Sequence, residues 1–194
     1  MNDFWFLANK LEKILCENAE FLYQKLQVPL EPSMIQSFLS TCNAFDPQLE
    51  EFFAWKNGIP YNVSDYTLRY DFSSQGVFLP LSFAVSLSDS FKSYGLWPEY
   101  LFPLVGNYSG DYLLYDLRID EPTYGMLFLF SKSALSLDPM MTYCDSITAM
   151  LSTIIACFEN GAFRYGKEGL DIDFDLMIEI NKRNNPASSY WKQF

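Results

Sequence analysis

Leu101–Phe130 reads LFPLVGNYSGDYLLYDLRIDEPTYGMLFLF. Leu101–Val105 is an apolar strand pattern that stops at the turn Gly106-Asn107-Tyr108-Ser109-Gly110. Asp111–Ile119 and Gly125–Phe130 follow, joined across Asp120-Glu121-Pro122, and they predict an antiparallel pair. Met126–Phe130 is apolar at every position. That pattern fits a central strand covered on both faces, or covered on one and aromatic on the other. Upstream, Tyr66–Phe72 and Gly76–Leu79 are further strand candidates.

Helical patterns flank this block. Residues 3–24 predict a helix capped by Asp3, with Phe4, Leu7, Ala8, Leu11, Ile14, Leu15 and Leu22 in one stripe. Residues 33–42 predict a second, with Ser33 and Gln36 at capping-box spacing. A third has Asp46 as cap, Pro47 at the first helical position and Gly58 as stop. Phe83–Tyr94 predicts a short helix. Ile147, Met150, Leu151, Ile154, Ile155 and Phe158 predict a long one, with Asp145 as cap and Asn160-Gly161 as stop. Residues 173–183 predict a last helix, acidic at its start and basic at its end, as the helix dipole prefers. Helices, then strands, then helices predict an α+β fold, with helices around one twisted, mostly antiparallel sheet.

The chain has 194 residues, enough for one domain, alone or with an N-terminal extension. It contains no histidine. This removes Ser–His and Cys–His nucleophile pairs, a histidine base and histidine-ligated zinc. The net charge is −11. A basic patch for nucleic acid or for an anionic membrane surface is therefore not expected. Such a field attracts a basic partner, or serves solubility alone. Cys16, Cys42, Cys144 and Cys157 include no CxxC pair, and free thiols are expected. The N-terminus lacks a basic stretch before its apolar residues, so no secretory signal is predicted and a cytoplasmic protein is expected. No uncharged stretch resembles a membrane span.

Few motifs suggest chemistry. Asp171, Asp173, Asp175 and Glu179 imitate positions of a calcium loop, but Leu176 and Lys182 occupy the places of its Gly and its Glu. A charged helix start explains them as well. Asp111 and Asp116 are five apart on a predicted strand, so they point to opposite faces. Asp111 is expected to accept backbone N–H bonds from its own turn. The loop Gly106–Gly110 lacks the lysine and the length of a phosphate loop. No metal, cofactor or catalytic residue is expected. Tyr61, Tyr66, Tyr70, Tyr108, Tyr112 and Tyr115 cluster centrally, as interface aromatics or as core. Glu159–Glu179 carries six acids against Arg164 and Lys167, as a solvated face or as a docking surface.

Three segments together resemble the SUKH superfamily, also called the cell-wall assembly regulator family. Pro32–Gly58, PSMIQSFLSTCNAFDPQLEEFFAWKNG, resembles its opening. Leu101–Leu117 resembles its signature, with Gly110 and Asp111 at the Gly-Asp. The helix around Asp145–Phe158, followed by Asn185-Pro186, resembles its close. The resemblance covers about residues 30–194 as a SUKH-like domain, with 1–29 as a helical extension packed on it. It implies a single α+β domain without catalysis. It also implies an immunity protein that occludes a cognate bacterial toxin, often a nuclease or deaminase. The family's fungal members imply the alternative, a cell-wall signalling scaffold without a toxin. For a basic toxin, the expected partner-binding residues are Tyr108, Tyr112, Trp55, Asp171, Asp173 and Asp175. The expected state is a monomer or weak homodimer.

Overall fold

The computed structural model describes residues 3–60, 70–133 and 136–194. It is α+β, with the predicted antiparallel sheet at its centre. Five strands run in sequence order: β1 (Val77–Phe78), β2 (Leu101–Gly106), β3 (Tyr112–Asp116), β4 (Leu127–Ser131) and β5 (Ser136–Cys144). Every neighbouring pair is antiparallel. A separate hairpin pairs β6 (Phe163–Gly166) with β7 (Gly169–Ile172).

Seven helices among the described residues surround the sheet: α1 (Asp3–Asn18), α2 (Glu20–Tyr23), α3 (Pro32–Thr41), α4 (Pro47–Trp55), α5 (Leu81–Ser93), α6 (Ile147–Glu159) and α7 (Phe174–Asn184). A final 3-10 turn spans Trp191–Gln193.

β2 and β3 are buried at every residue, so both faces of the sheet are covered. Alternation along β3 shows how. Tyr112 faces Phe91 of α5 together with Trp97 and Phe130, as an aromatic cluster. Leu113 faces the other way, toward a small cavity of about 20 Å³ shared with Tyr143, Met150, Ile154, Phe163 and Asn181. Thus α5 covers one face, and α6, α7 and the hairpin close the other. Phe4, Ala8, Leu11, Leu15 and Leu22 of the N-terminal segment are buried in the same cluster as the sheet, so the described part of the N-terminal extension shares one core with the rest of the described chain.

The predicted first helix breaks at Ala19, where φ is −147°, into α1 and α2. Two predicted caps are wrong. Ser33 lies inside α3, because Pro32 takes the first helical position and Glu31 becomes the uncapped N-cap. Ser146, not Asp145, caps α6, accepting from the Ala149 N–H. Asp145 instead accepts the Ala187 N–H, tying α6 to the C-terminal segment. The predicted cap Asp46 is in place, accepting from the N–H groups of Gln48 and Leu49. Most of the predicted strand Tyr66–Phe72 lies outside the described residues. Its last residue, Phe72, is fully buried against Phe78.

Asp46 is itself buried, 3% exposed. Besides the α4 N–H groups, it accepts the Tyr115 hydroxyl at 3.1 Å and the Tyr124 hydroxyl at 2.5 Å. Burial and the neighbouring Asp46 charge both raise the proton affinity of these phenols, which keeps them donors. Asp46→Ala removes a cap and strands two donors, the buried Tyr115 and the half-buried Tyr124. It is expected to cost about 3 kcal/mol in a urea unfolding midpoint series, against about 1 kcal/mol for Tyr115→Phe.

Candidate protein-binding surface

The Gly-Asp pair of the central turn is structural. Gly110 has φ +95°, and a Cβ there would lie 2.6 Å from Cδ of Lys132. The turn is organised by Asn107, whose Oδ1 accepts the N–H groups of Ser109 and Asp111. This corrects the expectation that Asp111 accepts the backbone N–H groups of its own turn. Its carboxylate reaches across to the end of β4, accepting the Ser131 hydroxyl at 2.7 Å and the Lys132 N–H at 3.2 Å. Its other oxygen accepts from Nδ2 of Asn107. The carboxylate therefore pins the β2–β3 turn to β4.

Asp116 occupies a separate network, fully buried at the end of β3. It accepts three bonds from Arg118 (backbone N–H, Nε and Nη2) and one from the Thr123 hydroxyl. The Arg118 guanidinium lies over the Tyr100 ring at 3.8 Å. Burial alone raises the Asp116 pKa, but these bonds outweigh it and hold the carboxyl below its ordinary value. Asp111 and Asp116 thus hold separate turns and do not converge.

The expected partner-binding aromatics divide. Trp55 and Tyr112 are buried, 3% and 6% exposed, which corrects their reading as surface anchors. The Trp55 ring packs on Phe52 and Phe78, and its Nε1 donates to Glu12. Tyr23 and Lys56 bond the same carboxylate, so Glu12 joins α1 to α4. Tyr115 is also core. Tyr108 is half-buried, and burial with nearby Asp71 and Tyr70 raises its pKa. Tyr61 and Tyr66 lie outside the described residues.

The acidic residues emerge at the surface. Asp171 on β7, and Asp173, Asp175 and Glu179 at and along α7, are all exposed. Asp173 caps α7 by accepting the Leu176 N–H. At the first position of the helix stands Phe174, 61% exposed between Asp173 and Asp175. Sequence reasoning passed over Phe174, because an aromatic inside an acidic helix start reads as core. Phase gives no warning either: Met177 and Asn181, three and seven positions on, are buried, so the helical period groups Phe174 with the inward residues, and only its place at the first position of α7 leaves it exposed. A shallow polar pocket of about 280 Å³ adjoins, lined by Gly161, Ala162, Arg164, Asp171, Ile172 and Asp173.

A groove of about 520 Å³ lies between the starts of α1 and α6 and contributes one carboxylate, Asp3. Among the described residues no cluster of three or more His, Cys, Asp or Glu side chains is placed to hold a metal ion. None of their helices is long and apolar enough to cross a membrane. All four cysteines are free thiols, and burial pushes Cys157 up to about 12. Compared with protein-family models the chain matches none, and comparison with curated proteins returns no significant match.

Two outcomes test the structural assignments. Gly110→Ala is expected to cost about 1–3 kcal/mol, because the side chain meets both a strained φ and Lys132. Gly166→Ala, in open space, is expected to change stability by less than about 0.5 kcal/mol. For Asp116 the folded pKa is lowered, so its contribution is present above the unfolded value of about 3.9 and lost as pH falls through the folded one. Asp116→Asn is therefore expected to be less stable than wild type at neutral pH. The gap should narrow below about pH 4 in urea midpoints taken from pH 7 to 2.

Proposed function

We propose that this chain is a non-catalytic binding protein that captures a basic protein partner through the β7–α7 face. The observation that carries the reading is Phe174, exposed between Asp173 and Asp175 and beside Asp171. An exposed aromatic flanked by carboxylates combines the two parts of an interface. The ring supplies a desolvated centre, and the carboxylates steer the partner and complement it at the rim. The net charge of −11 extends that attraction beyond contact distance.

The resemblance to the SUKH superfamily supplies the kind of partner. A toxin that acts on nucleic acid carries a basic cleft, and occupying that cleft one-to-one excludes its substrate. The mechanism is occlusion, acting in the cytoplasm of the cell that must be protected. It needs no catalytic group from this chain. The buried carboxylates Asp46 and Asp116 are engaged in fold contacts, and the exposed acids remain for recognition.

The test is affinity capture from source-cell lysate and secreted fraction, washed at low and then high salt. The expected result is a basic protein, held one-to-one at low salt, whose nuclease or deaminase activity falls to zero at one equivalent. Asp171→Asn/Asp175→Asn and Phe174→Ala are each expected to weaken that complex at least tenfold. Asp173→Asn keeps the α7 cap, since Asn caps as well as Asp. Capture of acidic or regulatory proteins only, or of an active partner that is not inhibited, overturns the toxin reading in favour of a scaffold.

A further inference from the structure

A second recognition feature lies on the helical side of the molecule, and its interpretation rests on the binding reading above. Between α1, the start of α3 and α4 is a cleft of about 180 Å³. Its walls are almost wholly apolar, formed by Trp5, Pro32, Ile35 and Ala54. Two carboxylates, Glu50 and Glu51, complete its lining, and none of the lining residues is basic.

Glu50 lies in the first turn of α4, where the helix dipole favours negative charge. Its Oε1 is shut off from solvent and has no hydrogen-bond partner among the described residues. A desolvated carboxylate oxygen without a donor is costly, and native folds rarely leave one. The lysines of the neighbouring helices are engaged elsewhere. Lys10 pairs with Glu159 at 2.8 Å, Lys13 with Glu17 at 3.9 Å, and Lys56, which follows α4, with Glu12 at 2.9 Å. Trp5 is 38% exposed, whereas Trp55, Trp97 and Trp191 are buried. The cleft therefore combines an apolar wall, an accessible indole and a partly exposed carboxylate, Glu50, with Glu51 beside it.

One chemistry complements all three: an aliphatic chain ending in a cation. Its methylenes lie against Ile35, Pro32 and Ala54, and its charged head meets Glu50 beside the indole. At about 30 Å³ per water, the cleft has room for about six waters. That is the scale of one long side chain and too small for a folded segment. We infer that the Trp5–Glu50 cleft receives a single lysine or arginine side chain projecting from the basic protein partner. Charge selects the residue type, and the apolar wall rejects short or branched polar side chains.

The experiment titrates the full ¹⁵N-labelled chain with Nα-acetyl-lysine methylamide, its arginine counterpart and its uncharged norleucine counterpart. The readout is the indole N–H resonance of Trp5, with the three buried tryptophans as internal controls. The lysine or arginine probe should shift the Trp5 resonance saturably. Norleucine should bind at least tenfold more weakly, and Glu50→Gln should lose at least tenfold for the charged probe without a lowered thermal midpoint. An unmoved Trp5 resonance, equal binding of norleucine, or undiminished binding to Glu50→Gln overturns the cleft assignment. The two readings fail separately. Probe failure with intact one-to-one capture of an inhibited toxin overturns the cleft alone. Probe binding with no inhibited basic partner captured overturns the toxin reading and leaves the cleft as a cation site.

Discussion

The buried carboxylate of Asp46 is the contact on which the arrangement of the molecule depends. A charge 3% exposed has few ways to persist, and here it is satisfied from two directions. The first turn of α4 offers its free N–H groups, and the sheet side offers the hydroxyls of Tyr115 and Tyr124. Neither set alone solvates the group. Helix and strand are therefore locked at one separation and one rotation, which apolar packing by itself specifies less sharply. Glu12 repeats the device one layer out, drawing Tyr23, Trp55 and Lys56 onto one carboxylate between α1 and α4. Burial raises its pKa, but the bonds from Lys56 and Tyr23 prevail and the group sits below its ordinary value.

These anchors explain why so acidic a chain folds compactly. A charge of −11 disfavours compaction through self-repulsion. Three carboxylates, Glu12, Asp46 and Asp116, are paired or richly hydrogen-bonded inside or at the edge of the core. Acids such as those of β7 and α7 stand in water, where salt screens them. The division separates the carboxylates that hold the fold from those available to a partner. A substitution in the first group reports on stability, and one in the second on the proposed binding.

The parts of the fold legible in the sequence are those where periodicity and punctuation agree. β2, β3 and β4 are bounded by turn residues, α4 by Asp46-Pro47, and α6 by an unbroken apolar period ending at Asn160-Gly161. β5 escaped because Asp138-Pro139 interrupts its pattern, a pair that argues against a strand by propensity alone. The β6–β7 hairpin escaped because Phe163–Ile172 was read for its charge, and its strands are only four residues each. The candidate site was legible in its carboxylates but not in its aromatics. Trp55 and Tyr112 are polar enough for a surface and large enough for a core, and only their neighbours decide. The Trp55 Nε1 finds Glu12 inside the molecule, so its polar handle needs no solvent.

What makes the β7–α7 face suited to binding is how little it must rearrange. Asp173 is already fixed by capping α7, and Asp171 sits on a paired strand, so both backbones are ordered before any partner arrives. Phe174 has two side-chain torsions and projects from the first turn of an 11-residue helix that is buried at Met177, Ile180 and Asn181. Ordering such a ring costs less conformational entropy than ordering a long flexible side chain, and less than folding a loop. Electrostatic attraction brings a basic surface near but is weakened by salt, whereas burial of an aromatic ring is not. On the proposed reading, durable capture under cellular salt falls chiefly to Phe174, and the surrounding acids set the rate and orientation of encounter.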